Sequence, residues 1–475
     1  MWIDDPYWVR AAKFILNLPT QVRYVLAPAE MNHLRDGCLP PAFGHILSPE
    51  NCIIVIPKDD VDQLPKAWIE VLPTWEVIYA DEVFVAIRAG ILTSGPRNDD
   101  HHLQYMYDRC EKILDGIQVR AHRIDEELSD DFRGKPYVLI AAASLIGNAG
   151  DRLLAAAAVR LLKLTCPELS IVVSDGSPDR TLVREASAVI IGPGGMLYDI
   201  ENATRLDLNN LANWFGIGYV SSEYKSNLYL IGLGHQNINS SIGRIFAKES
   251  VKYARMASAR DRETSKMLLE WMSNPVQYLP DMSVIFSEDI LKIAEEVGGN
   301  RTISLCGDFC NISGISEMAS WMRKHGGVRL RYIVQANEDA ESLRIHRDSI
   351  IEMLGTDFEE IDCRTSNPME FCRAVATSDA LITTRFHGMM VALMSGVDLL
   401  TFTVRGDKRE RMRNELGAHP WARFEPVVTD LRHVKKTIIS LITDGRRDSK
   451  RAVSFDRAPF IELGKRLGED LRQRI

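Results

Sequence analysis

Long hydrophobic runs, a signal-like beginning and paired cysteines are all absent from this sequence. No apolar run approaches the roughly 18 residues that a membrane-spanning helix needs, and the residues after Met1 form neither a basic nor an apolar segment. The eight cysteines are scattered and form no CxxC pair with neighbouring histidines. We therefore expect a cytoplasmic protein without a membrane span and without a bound metal.

A surplus of basic charge is missing as well. The chain has 57 Lys and Arg against 65 Asp and Glu, which gives a formal net charge of -8. Without a positive field, binding to nucleic acid is not expected, although a local basic pocket for a small anion stays open. Neither the GxGxxG nor the GxxxxGK[ST] loop occurs, so no dinucleotide or ATP cofactor is expected.

What the sequence contains is a repeated alternation of short apolar strands and helices. Its 475 residues are too many for one hydrophobic core. The alternation predicts an α/β fold with two Rossmann-like, doubly wound domains that face a central cleft. The predicted units are an α/β extension at 1–134, the two domains at 135–295 and 296–445, and a helical tail at 446–475.

The element boundaries follow from composition and periodicity. In the extension they predict strands at Val22–Leu26, Cys52–Ile56 and Val83–Ile87, a polar turn at Gly95–Asp100, a helix at Leu103–Ile117 and a charged linker at Asp125–Lys135. In the two domains they predict strands at Tyr137–Ala143, Ile171–Val173, Ala188–Ile191, Leu228–Leu233, Arg255–Ala259, Thr302–Cys306, Leu330–Val334, Phe358–Ile361, Ala380–Thr383 and Leu399–Thr403.

Two glycine-containing loops lie between an apolar strand and a helix, at Gly147–Asp151 and at Gly192–Gly195. Glycine lets the backbone approach an anion, and a helix N-terminus offers unpaired N–H groups. Candidate anion contacts are therefore Gly147, Asn148, Gly194 and Gly195. A tight turn that needs glycine for its geometry is the alternative, and Asp151 is either a base or a helix N-cap.

A cluster of polar side chains, Thr383–Gly388, follows a predicted strand. Arg385 and His387 pair a permanent cation with a group that titrates near neutral pH, and such a pair suits a phosphorylated or carboxylated substrate. A structural salt bridge for Arg385 and a helix cap for His387 are the alternatives.

A second such cluster, Ser258–Glu263, also closes a strand and opens a helix. Asp261 and Glu263 fall where carboxylates stabilise a helix N-terminus and are interpreted as structural. Arg260, at the strand tip, is predicted to face the same cleft as Arg385.

Taken in order, these motifs resemble the polysaccharide pyruvyl transferase family across about residues 135–445. The motifs are Gly147–Asp151, Gly192–Gly195, Gly232–Gly234, Ser258–Asp261, Pro280–Asp281 and Thr383–His387. The family pattern usually has Ser at position 383 and an aliphatic residue at position 386, where this chain has Thr383 and Phe386. Thr keeps the hydroxyl and Phe keeps an apolar side chain.

The resemblance implies a GT-B-like build and transfer of a pyruvyl group from phosphoenolpyruvate to a glycan as a ketal. It implies that Arg260, Arg385 and His387 hold the donor, with a backbone contact from Phe386. The family's lysine after the next strand corresponds to Lys408. His387 is the candidate acid, Asp151 the candidate base, and no cofactor is implied. Acceptors in this family are often lipid-linked.

Two other functions stay open on the sequence. A GT-B glycosyltransferase would need a carboxylate for the ribose of a nucleotide sugar, for which Glu338 and Asp339 are candidates. A non-catalytic polysaccharide assembly protein would not require the arginines. The sequence leaves the acceptor sugar and a homo-oligomeric state open.

Overall fold

The computed structural model describes most of the chain. The described residues are 5–41, 52–64, 68–69, 72, 75–92, 101–115, 136–143, 147–174, 180–201, 205–206, 209–223, 226–236, 238, 241–296, 301–309, 329–354, 358–403, 407–417, 419–426, 440–441, 443 and 448–474. Among these residues no helix is long and apolar enough to cross a membrane.

A mixed five-stranded sheet forms the N-terminal unit. Its elements are α1 (Pro6–Leu16), β1 (Tyr24–Leu26), β2 (Cys38–Leu39), β3 (Cys52–Pro57), β4 (Trp75–Ala80), β5 (Phe84–Leu92) and α2 (His101–Asp115), with 3-10 turns at Ala29–Leu34 and Lys58–Gln63. The strand order is β2-β1-β3-β5-β4, and β5 runs antiparallel to its neighbours. Alternate residues of β3 face opposite sides: Ile53 and Val55 pack with α1, whereas Ile54 and Ile56 join a core shared with the next sheet.

The first Rossmann-like unit is built on a parallel sheet. Its elements are β6 (Tyr137–Ala141), α3 (Ala149–Thr165), β7 (Ser170–Ser174), α4 (Arg180–Glu185), β8 (Ala188–Ile191), β9 (Gly194–Leu197), β10 (Ile200–Glu201), β11 (Arg205–Leu206), α5 (Asn209–Glu223), β12 (Asn227–His235), α6 (Ser241–Val251), β13 (Met256–Ala259), α7 (Arg262–Trp271), β14 (Val276–Tyr278), a 3-10 turn at Met282–Phe286 and α8 (Ser287–Glu295). The order is β14-β13-β12-β8-β6-β7, so the winding direction reverses between β6 and β8. A ligand site is expected at such a reversal.

The second Rossmann-like unit has a parallel six-stranded sheet. Its elements are β15 (Thr302–Cys306), β16 (Arg329–Val334), α9 (Asn337–Leu354), β17 (Phe358–Asp362), α10 (Pro368–Ala376), β18 (Ala380–Thr383), α11 (Phe386–Ser395), β19 (Asp398–Thr403), α12 (Lys408–Leu416) and β20 (Ala422–Pro426). The order β17-β16-β15-β18-β19-β20 reverses between β15 and β18. This is the Rossmann order of strands.

The C-terminal helix α13 (Ala458–Arg472), preceded by a 3-10 turn at Ser449–Arg451, returns to the first Rossmann-like unit. Tyr229 of β12 donates its hydroxyl proton to Asp470, and Arg255 pairs with the same carboxylate at 3.0 Å. Leu463 and Leu467 are buried in one continuous core with α3, α8, α10 and α11. The two parallel sheets therefore share a core through the helices between them.

The predicted fold class, two Rossmann-like doubly wound sheets, is confirmed by these strand orders. Each predicted strand coincides with an observed strand, and the ends differ by at most two residues except in β5, which continues five residues beyond the predicted end at Ile87. Strands β2, β4, β9, β10, β11, β14 and β20 were not predicted. Helix α3 begins at Ala149, inside the predicted loop Gly147–Asp151, because Asn148 caps it. The predicted turn Gly95–Asp100 and linker Asp125–Lys135 lie outside the described residues.

Candidate active site

The carboxyl ends of the two parallel sheets meet where each sheet reverses its winding. Loops after β6 and β8 carry Gly147–Asp151 and Gly192–Gly195, and the loop after β18 carries Thr384 and Arg385. The Ala149 N–H donates to the Gln335 carbonyl at 2.9 Å, and Asn148 forms an antiparallel β-bridge with Ala336. The start of α3 therefore rests directly on the end of β16.

Glycine at the start of α3 is required by the close approach of the second unit. A Cβ atom on Gly150 would lie 2.1 Å from Nδ1 of His387, and one on Gly147 would lie 2.5 Å from Asn337. Gly147 also has φ +75°, a conformation that glycine adopts readily. The Asn148 side chain caps α3 by accepting from the Gly150 N–H and donates to Asp151 at 2.7 Å. Asp151 is thus not the N-cap.

Arg260 is buried between glycines at the tip of β13. A Cβ on Gly195 or Gly234 would lie 2.5 or 2.2 Å from its guanidinium, so both positions must lack a side chain. Arg260 is 2% exposed and stacks over the Phe386 ring at 5.2 Å. Its Nη1 lies 3.8 Å from Asp281 Oδ2, while Nε and Nη2 have no hydrogen-bond partner among the described residues. A buried guanidinium with unpaired donors is suited to an anion.

His387 lies in the first turn of α11 and is 4% exposed. Burial, together with the nearby cations Lys408 and Arg260, lowers the pKa of His387 to about 4, against the opposing effect of Asp281. The imidazole is therefore neutral at pH 7. Its Nε2 lies 3.8 Å from Asp281 Oδ2 and makes no hydrogen bond to a described residue.

Arg385 precedes α11 and is held by two carboxylates of α9. Its Nε donates to Asp339 at 2.7 Å and its Nη2 to Glu338 at 3.2 Å. Asp339 also accepts from the backbone N–H groups of Gln335 and Ala336, both at 3.0 Å. Burial raises the pKa of Asp339 to about 6, against the opposing effect of Arg385. The salt-bridge alternative for Arg385 is therefore present, and it engages Nε and Nη2 of the guanidinium.

Lys408 is the first residue of α12 and is directed toward the same cluster. Its Nζ lies 5.6 Å from the centroid of the Phe386 ring. Burial and Arg260 lower the pKa of Lys408 to about 8, so most of its population is charged at pH 7. Asp151 lies within reach of the same cations; burial raises its pKa to about 6, which leaves it mostly ionised.

The structure thus brings Asp151, Arg260, Phe386, His387 and Lys408 together, with Gly147, Asn148 and Gly195 lining the same region. A Cβ on Gly194, which has φ +142°, would point toward Ala143 and Met196 rather than toward Arg260. Two participants were missed by sequence reasoning. Asp281 belongs to the Pro280–Asp281 motif but was given no role, and Gln335 carried no signal beyond following a strand. Among the described residues no group of three or more potential metal ligands occurs.

A family model for polysaccharide pyruvyl transferases matches residues 148–404, which is more than half of the chain. The chain belongs to the polysaccharide pyruvyl transferase family. The matched range contains every motif residue of the site except Gly147 and Lys408. Family membership supports a transferase that acts on a glycan acceptor. No curated protein matches the chain significantly.

Several solved structures are similar at low identity. A UDP-GlcNAc 2-epimerase from Methanocaldococcus jannaschii with UDP-GlcNAc and UDP has 12% identity and a TM-score of 0.46, covering 71% of this chain and 99% of the epimerase. The Neisseria meningitidis UDP-GlcNAc 2-epimerase has 12% identity and a TM-score of 0.43, covering 71% and 100%. An Anabaena protein in complex with UDP-glucose has 10% identity and a TM-score of 0.42, covering 71% and 95%. Similarity this low carries no information about ligands.

Proposed function

We propose that this pyruvyl transferase family member takes the pyruvyl group from phosphoenolpyruvate, joins it to two hydroxyls of a sugar as a ketal, and releases phosphate. The observation that carries the proposal is Arg260. It is a buried cation at the meeting point of the two sheets, with two guanidinium nitrogens that no described residue satisfies. A small donor with two anionic groups would satisfy those nitrogens.

The neighbours of Arg260 suit the two anionic groups of phosphoenolpyruvate, a phosphate and a carboxylate. Lys408 supplies a second cation. No described side chain caps the N-terminus of α11, which leaves backbone N–H groups for an oxyanion. We assign Nη1 of Arg385 to the donor as well, with the rest of that guanidinium fixed by Asp339 and Glu338. Gly147, Asn148 and Gly194–Gly195 are assigned to backbone contacts.

The proposed chemistry balances without a cofactor. A proton adds to the CH₂ carbon of the enol, which places positive charge on C2, and a sugar hydroxyl adds there and loses its proton. The C2–O bond to phosphate then breaks, and a neighbouring hydroxyl adds to C2 and loses its proton. One proton enters the donor, two leave the sugar and one is carried away by hydrogen phosphate.

His387 and Asp151 are assigned to these proton transfers. His387 is neutral at the pKa of about 4 that burial imposes, and a bound anion favours its protonated form, which can act as the acid. Asp151, with a pKa near 6, is mostly ionised at neutral pH and can accept a hydroxyl proton. We also propose a cytoplasmic location, which rests on the sequence alone.

The test is release of phosphate from phosphoenolpyruvate with and without a panel of β-galactoside, mannose and glucose acceptors. We expect release that depends on an acceptor, together with a mass gain of one pyruvyl ketal on that acceptor. Release of nucleoside diphosphate from a nucleotide sugar, with no reaction of phosphoenolpyruvate, would support a glycosyltransferase instead. Asp339 argues against that alternative, because Arg385 and two backbone N–H groups already occupy its carboxylate.

A further inference from the structure

Asp281 occupies the boundary between the two Rossmann-like units and is fully buried. It caps the turn Met282–Phe286, where its Oδ1 accepts from the Ser283 N–H at 3.1 Å. Its Oδ2 makes no hydrogen bond to a described residue and lies 3.8 Å from both Arg260 Nη1 and His387 Nε2. One carboxylate oxygen thus faces the anion-binding cation of the first unit and the histidine of the second.

A separation of 3.8 Å is too long for a hydrogen bond but short for charges in a buried site. A buried carboxylate is costly unless cations compensate it. Among the described residues, Arg260 is the one permanent cation within 4 Å of the Asp281 carboxylate, because His387 is neutral. An anion on Nε and Nη2 of Arg260 would share that cation with Asp281 and leave the site short of positive charge. Protonation of His387 restores the balance.

The groups that face His387 are consistent with its protonation when an anion binds to Arg260. Gly150 of α3 lies against Nδ1 and carries no charge, and the Phe386 ring meets the imidazole edge to face. Arg260 and Lys408 oppose protonation, and Asp281 favours it. A bound anion would offset the two cations, which leaves Asp281 as the group that decides the charge of the ring.

We propose that Asp281 is a positioning residue for His387: it receives the Nε2–H of the imidazolium that forms when Arg260 binds an anion, and it thereby couples anion binding to the uptake of a proton. The inference rests on the proposed donor site and adds a regulation of its charge. Asp281 does not itself touch the reacting atoms.

Isothermal titration calorimetry at pH 7, in buffers that differ in ionisation enthalpy, measures the protons taken up on binding. The probes are phosphoenolpyruvate and inorganic sulfate, which does not titrate in this range. We expect uptake approaching one proton per bound sulfate in the wild type and less than half of that in Asp281→Asn. Asp398→Asn is the matched control, because it removes a buried carboxylate that pairs with Arg451 at the opposite end of the second sheet.

A cycle with His387→Gln separates this role from a merely structural one. If Asp281 acts through His387, Asp281→Asn should change proton uptake little in the His387→Gln background. Anion binding by the wild type without proton uptake, or an undiminished effect of Asp281→Asn in that background, would overturn the inference. Absence of proton uptake by the wild type would overturn the inference even if Asp281→Asn does not fold.

The outcomes also separate this inference from the proposed reaction. Proton-linked binding of sulfate without any acceptor-dependent phosphate release would retain the coupling and reject the reaction. Phosphate release by a wild type that takes up no proton on binding would support the reaction and reject the coupling. Absence of binding by both probes would remove the anion site and the inference with it.

Discussion

Arg260 is held by residues that have no side chain. Gly195 and Gly234 lie so close to the guanidinium that any Cβ would displace it, and Phe386 covers its face. The arginine is therefore fixed before a ligand arrives, which lowers the entropic cost of binding. Its Nε and Nη2, which no described residue pairs, are the groups left for an anion.

We expect Arg260→Gln to fold and to lose the proposed pyruvyl transfer. Removing one preorganised charge that stabilises the reacting anion typically costs about 10²–10³-fold in rate. The measurement is acceptor-dependent phosphate release. Arg262→Gln is the control, because Arg262 is exposed and stacks on Tyr278, away from the cluster. Equal losses in the two variants would remove Arg260 from the site.

Gly150 gives a second prediction, on stability. Alanine is normally favoured over glycine in a helix by about 1 kcal/mol. Here a Cβ would lie 2.1 Å from His387, so we expect Gly150→Ala to lower the free energy of unfolding by about 1–3 kcal/mol. Chemical denaturation measures this change in the free energy of unfolding. The added variant His387→Ala should recover part of the loss, and a stabilised Gly150→Ala protein would contradict the observed packing.

Helix α12 connects the two units at the scale of a single element. Its first residue, Lys408, faces the site. One turn later Arg411 pairs with Asp261 at 3.2 Å, and Glu415 accepts from the Arg262 N–H and the Tyr278 hydroxyl. Asp261 caps α7 and Glu263 lies in its first turn, as predicted, so α12 is tied to the loop that also carries Arg260.

We therefore expect Arg411→Met to affect both stability and donor binding. Leaving Asp261 without its buried cation should cost about 3 kcal/mol, and displacement of α12 should raise the KM for phosphoenolpyruvate more than it lowers kcat. Denaturant unfolding and steady-state kinetics measure the two effects. Arg413→Met is the matched control on the same helix, because Arg413 is exposed and contacts Phe424 of its own unit. A wild-type KM in Arg411→Met would rule out this role.

The whole molecule is united by a core that neither Rossmann-like unit completes alone. Helices α3, α8, α10 and α11 pack together between the two sheets, and α13 crosses from the second unit to the first. Asp470 of α13 accepts from Tyr229 and pairs with Arg255. Loss of α13 packing should therefore destabilise both units.

Leu463→Ala tests that expectation. Removing a fully buried leucine side chain typically costs about 2–5 kcal/mol. We expect amide hydrogen exchange to accelerate in strands of both units, for example in β12 and β18. Lys465→Ala, at an exposed position of the same helix, should change stability by less than about 0.5 kcal/mol. Faster exchange confined to β12 would show that the units unfold separately.

Much of the site was predictable because its motifs are local. Glycine next to a helix start, and Arg385 and His387 after an apolar strand, can be recognised within six residues of sequence. Gln335 and the Asp281 carboxylate could not be assigned in this way, since each acquires its role only from a residue far away in the chain. The ion pair between Arg385 and Asp339 could not be recognised locally either, because Asp339 follows a different strand of the sheet.

By itself the sequence determined the alternating strands and helices, the two glycine loops and the cations that follow the strands, because these depend on periodicity and short-range geometry. The tertiary structure decided which loops meet. Strand order places both winding reversals at one boundary, the shared core presses Gly150 against His387, and burial sets the pKa values of His387, Asp151 and Lys408. Desolvation and contacts between distant residues are properties of the assembled chain.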